Sequence, residues 1–95
     1  MNEILTLIKD DGSRREVFGG LRSVTRSEFY QAQAVGYKPE LVFVLADHLD
    51  YHDESLVKHD GQLFRVLRTY RAGQELEIIV TQASAEEVAR YGGNH

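Results

Sequence analysis

Leu41-Val42-Phe43-Val44-Leu45-Ala46-Asp47 is nearly continuous apolar and rich in β-formers. A run of this kind predicts a strand covered on both faces. The stretch before it, residues 23 to 40, has a different pattern. Thr25 followed three residues later by Glu28 fits a capping box, in which the hydroxyl takes a first-turn N–H and the carboxylate reaches back. Gly36 fits the left-handed position just past a helix end, and Pro39 blocks continuation. The spacing predicts one short helix over about residues 26 to 35, in a chain that is otherwise strands and turns. A helix this short is marginal alone and must dock on something. Phe29, Ala32 and Gln33 form one stripe of it, and Tyr30, Ala34 and Tyr37 another.

Working outward, Glu3 to Lys9 reads as a first strand. Asp10-Asp11-Gly12-Ser13 reads as a hairpin turn whose glycine supplies positive φ. Arg14 to Gly19 is a second strand, expected to continue or restart over Gly20 to Val24 after a glycine bulge. Downstream of the central strand, His48 to Ser55 reads as a polar loop and Leu56 to His59 as a short strand. Asp60-Gly61 is a second turn. Gln62 to Arg71 alternates, with Leu63, Arg65, Leu67 and Thr69 on one side and Phe64, Val66, Arg68 and Tyr70 on the other. Ala72-Gly73-Gln74 turns the chain into a last strand, Glu75 to Gln82. The expected fold is mainly β: a small barrel of five to six antiparallel strands with one short helix inserted before the central strand. Residues 1–84 make the barrel domain, and 85–95 a short tail with a frayed helical turn or two.

Composition narrows the function. The chain has 95 residues, no cysteine and a net charge of −4. Thiolate chemistry, thiolate metal sites and disulfides are excluded, and the acidic balance gives no support to generic nucleic-acid binding. The lack of cysteine fits a reducing compartment. No apolar run approaches the roughly 18 to 20 residues that cross a bilayer. Met1 to Lys9 lacks the pattern of a signal peptide.

Candidate chemistry is sparse. His48, Asp50, His52, Asp53 and His59 crowd potential metal ligands, but their spacing matches no metalloprotease or zinc-finger pattern and the loop reads as a solvated connection, so no metal is expected. The neighbouring carboxylates Asp10-Asp11, Asp53-Glu54 and Glu86-Glu87 read as turn and surface charge. No serine sits in a Gly-x-Ser-x-Gly turn, and no glycine pair makes a phosphate loop. Neither an enzyme nor a cofactor is expected. Arg68 beside Tyr70 leaves a second class open: a small barrel stacking single-stranded nucleic acid. The opposing expectation is that Arg65, Arg68 or Arg71 pairs across strands with Glu75 and Glu77. Arg26, Tyr30 and Tyr37 are of the residue types that anchor interfaces best.

Three pieces of the chain together resemble the head-closure proteins of long-tailed bacteriophages, also called head–tail connector or stopper proteins. They are Val24-Thr25-Arg26-Ser27-Glu28-Phe29-Tyr30-Gln31-Ala32 with Gly36-Tyr37-Lys38-Pro39-Glu40; Leu41-Val42-Phe43-Val44-Leu45 followed by Asp50-Tyr51; and residues 61–70 with Glu75-Leu76-Glu77. The first and third look like the version found in phages and prophages of Gram-positive bacteria. The resemblance implies a small β-barrel in a dodecameric ring of the virion neck, assembled in the host cytoplasm below the portal and adaptor. It implies three partners besides the chain itself: the adaptor, a tail-completion or tail-terminator protein, and double-stranded DNA passing through the channel. It carries no catalytic residues. It maps a channel-gating insertion onto about Gly19 to Lys38, with Arg26, Tyr30, Gln33, Tyr37 and Lys38 facing the channel or a neighbour. It offers Asp50, Tyr51, Arg68, Tyr70 and Arg71 as ring contacts.

Overall fold

A computed structural model of the chain describes residues 2–25 and 38–92. Six strands, β1 (Glu3–Ile8), β2 (Arg14–Arg22), β3 (Leu41–Leu45), β4 (Leu56–His59), β5 (Gln62–Ala72) and β6 (Glu75–Gln82), close into a barrel in the order β1-β2-β3-β6-β5-β4. Every pairing is antiparallel. Closure leaves each strand paired on both sides over part of its length, which removes the free edges of an open sheet. The expected mainly-β barrel is the observed architecture. The helix expected over residues 26 to 35 lies outside the described residues.

Alternation along the strands sends Leu5, Leu7, Val17, Phe43, Leu45, Val57, Phe64, Leu76, Ile78 and Val80 into one buried core. Phe43 is its centre, edge-on to Phe64 at 5.5 Å between ring centroids. The predicted two-sided burial of β3 is observed. Phe43 points inward, and Val42 on the outer face is also fully buried, as is its cross-strand partner Ile79.

β2 is one uninterrupted strand. It pairs with β1 through Gly19 and with β3 from Gly19 onward, with no register shift. The expected bulge is therefore absent, and the glycine does something else. A Cβ at Gly19 would lie 2.6 Å from Leu5 Cδ1 and 2.8 Å from the Val44 carbonyl oxygen. Only hydrogen fits where the strand turns the barrel's corner. The connection between β2 and β3 accordingly starts at Ser23, not at Gly19.

A bulge does occur, but in β5, where the register on β6 shifts between Val66 and Arg68. It breaks the alternation expected for Gln62 to Arg71. Arg65 and Arg68, expected on opposite faces, both stand on the outside, together with Tyr70. Leu63 and Phe64 are both buried, Phe64 in the barrel and Leu63 in a second cluster on its outer surface.

That second cluster joins Ile8, Leu56, Leu63 and Ala83, with Tyr91 packed against it. The tail builds it by folding back as a short helix, α1 (Ala85–Glu87), and a single π-type turn (Val88–Gly92). Ser84 and Glu87 cap α1 reciprocally. Tyr91 donates its hydroxyl to the Asp10 carbonyl at 2.8 Å, and Arg14 donates to the Tyr91 carbonyl. The helical turns expected for the tail are present, and they serve as an outer lid on the barrel.

Candidate functional site

The barrel has two mouths with different closures. At one, the connection between β2 and β3 leaves and returns. Its exit is fixed by Arg22, which reaches Glu77 at 2.9 Å and the Ser23 carbonyl at 3.1 Å. Its return is fixed by the Lys38 carbonyl, which accepts from Thr81 Oγ1, and by Glu40, whose carboxylate accepts the Gln82 N–H at 2.6 Å. Lys38 and Glu40 are exposed, and Pro39 between them is buried. Both roots of the connection are thus tied to β6, the strand that spans the core. Just inside the same mouth, His59 meets Glu3 at 2.7 Å and packs on Phe43 at 5.6 Å.

The other mouth is plugged by the loop from Asp47 to Ser55. Asp47 caps a short 3-10 turn (His48–Asp50), and the His48 N–H donates to the Gln74 carbonyl in the β5–β6 turn. At its far end the Ser55 hydroxyl donates to Asp10, in the turn between β1 and β2. The loop therefore lies across the mouth from one hairpin to the other.

Glu54 holds it there. It is 2% exposed. Its Oε1 accepts the His52 N–H at 2.6 Å, and its Oε2 accepts from Arg15 Nε at 3.2 Å and Nη2 at 3.0 Å. Arg15 also donates to the Asp50 carbonyl. Burial pushes the Glu54 carboxyl up, but the His52 and Glu54 backbone N–H groups and Arg15 outweigh it, so it stays below the usual carboxylate range. Tyr51 packs against the core and donates its hydroxyl to the Glu54 carbonyl at 2.6 Å. Burial, followed by the charges of Asp53 and Glu54, raises its phenol to about 12. The sequence reading placed Glu54 among surface charges; the structure makes it the most buried polar side chain described. One signal was available. Arg15 shares the inward parity of Val17, and an inward arginine needs an acid.

Of the interface candidates, Arg26, Tyr30, Gln33 and Tyr37 lie outside the described residues. The rest fall in three places. Lys38 sits at the root of the β2–β3 connection. Asp50 and Tyr51 are in the plug. On the outer face of β5, the Arg68 guanidinium lies 4.3 Å from the Tyr70 ring centroid; Arg71, of the opposite parity and across from Leu76, is exposed near the end of the strand and donates to the Gly73 carbonyl. The sequence reading paired Arg65, Arg68 or Arg71 with Glu75 and Glu77; two of the partners differ. Glu77 pairs with Arg22, and Arg65 lies 3.8 Å from Glu87. The histidines do not converge: His59 faces Glu3 at one mouth, while His48 and His52 are in the plug at the other. Among the described residues no three His, Asp or Glu side chains are placed to hold a metal ion, and no helix is long and apolar enough to cross a membrane.

Compared with known proteins, the chain matches no family model, and a search of curated proteins finds no match.

Proposed function

We propose that the chain is a structural component of a bacteriophage neck. In this reading it forms a ring below the portal and adaptor that closes the DNA-filled head and offers a surface to the tail. The observation that carries the proposal is the order and spacing of the three sequence pieces on a barrel of this design. The first piece spans the β2–β3 connection, the second is β3 with the start of the plug, and the third is β5 with the start of β6. The connection that would project into the channel has both roots bonded to β6. Such anchoring suits an element that bears force while the barrel stays rigid. The net charge of −4 also suits a channel past which DNA slides, because each neutralised phosphate adds salt-dependent affinity.

Deleting the gene from its phage tests this. The proposal expects heads that package DNA but do not retain it, beside complete tails that fail to join; normal virions would refute it. A second reading draws on the Arg68–Tyr70 pair and Arg65 on one outer face, which offers a stacking platform for single-stranded nucleic acid. Titration with single-stranded DNA separates the two. Micromolar binding that weakens steeply with salt favours the second reading, and no binding favours the neck.

A further inference from the structure

We propose that Ile4 and Phe18 anchor a two-fold contact between two copies of this chain, with Glu16 of each copy reaching Lys58 of the other. The two apolar residues are directly opposite each other on β1 and β2, on the outer face of the barrel. Ile4 is 55% exposed and Phe18 65%. Each lies beside a residue that points into the core, Leu5 and Val17, so strand alternation holds both outward.

The next row on the same face sets the partner. Glu16 on β2 is opposite Thr6 on β1, and Thr6 is opposite Lys58 on β4. An acid and a base thus flank Thr6 on either side, one row from the apolar pair. Ile4, Thr6, Glu16, Lys58 and Asp60 line one shallow concavity, with Arg14 and Arg15 at the β2 end of it.

Let two such faces meet about an axis running along the strands, between β1 and β2. Phe18 then lies over the second copy's Ile4, and the reverse contact forms at the same time. In the next row Glu16 lies over the second copy's Thr6, offset sideways by one strand spacing, about 4.8 Å, from its Lys58 across a gap of about 10 Å that the two side chains fill. That is within the reach of a lysine side chain. The symmetry repeats each contact, so one apolar pair and one charge pair become two of each. A second copy supplies the apolar residue and both signs of charge at the mirrored positions.

The face is a few residues wide, well short of the roughly 800 Å² per partner of a standard interface. The contact is therefore weak, and the dilute chain is monomeric. A two-fold contact closes at two copies and does not build a ring, so it belongs to the free chain and stands whether or not the neck reading does.

Sedimentation equilibrium of the full chain at low salt, over a wide concentration range, tests the proposal. A monomer–dimer equilibrium is expected. Phe18→Ser should raise its dissociation constant about tenfold or more, as loss of a central aromatic anchor does. Glu16→Lys alone should also weaken it, and Glu16→Lys with Lys58→Glu in the same chain should restore it to within a few-fold of the parent. Glu16 and Phe18 are exposed and Lys58 is half-buried, so melting temperatures will verify that each variant is folded. A parent chain that stays monomeric at its highest concentration overturns the proposal. So does a double variant no tighter than Glu16→Lys alone, or association that ignores Phe18→Ser.

Discussion

Replacing Glu54 by Gln keeps the shape of the plug and removes its charge. The carboxylate accepts the His52 N–H and two guanidinium N–H groups, and its own backbone N–H also favours the charged form. An amide has one acceptor oxygen, so either His52 or Arg15 loses its partner. A hydrogen bond to a charged group contributes about 1.5–3 kcal/mol. The Arg15 side chain is more than a third exposed, so water screens its share, and the lower part of that range applies. We expect a loss of about 2 kcal/mol, a large part of the roughly 5–15 kcal/mol that holds such a domain together. Urea unfolding should show a lower midpoint with an unchanged slope, and the melting temperature should fall by about 10 °C. The pH dependence gives a second reading. The folded carboxyl titrates below its ordinary value of 4.5, so its contribution is complete above that pH and is lost as the pH falls through the folded value. The parent should lose stability in acid faster than Glu54→Gln, and the two curves should converge. A change under about 0.5 kcal/mol at neutral pH, or parallel acid curves, would show that Glu54 does not hold the plug.

Other variants probe the rest of the fold. Phe43→Ala empties the centre of the barrel and should cost roughly 3 to 5 kcal/mol by denaturant unfolding. Gly19→Ala forces a methyl against Leu5 and the Val44 carbonyl and should cost about 1–3 kcal/mol; a neutral outcome would mean that the corner can open. Tyr91→Ala should speed amide exchange at Ile8 and Leu63 more than at Phe43, since it uncovers the outer cluster and leaves the inner core packed. Tyr30→Ser with Tyr37→Ser should change stability by no more than about ±0.5 kcal/mol, while phage carrying it leak their genome; an unfolded double variant would make these tyrosines core residues.

The barrel was legible because its strands obey period two and its turns announce themselves. Asp60 and Gly61 both take positive φ, as an Asp-Gly hairpin demands. β3 was legible from its unbroken apolar run, which corresponds to burial on both faces. What stayed hidden needed three-dimensional pairing. The bulge at Leu67 moves Arg68 to the face of Arg65, yet nothing local in Arg-Val-Leu-Arg distinguishes a bulged strand from a regular one. Gly19 read as a bulge because the sequence shows a glycine but not the Leu5 side chain against it. Glu54 looked like loop charge because its partner lies 39 positions away on β2. The expected interface residues between 26 and 37 rest on helical spacing and on the family resemblance.

The neck function is tested most directly on DNA-filled, tail-less heads that lack this chain. Purified protein is added, and the DNA that becomes accessible to nuclease is measured over time. If the chain closes the head, protection rises with added protein and saturates once each head carries one ring, and the protected heads accept tails. Heads that neither bind the chain nor retain their DNA at saturating protein would contradict it.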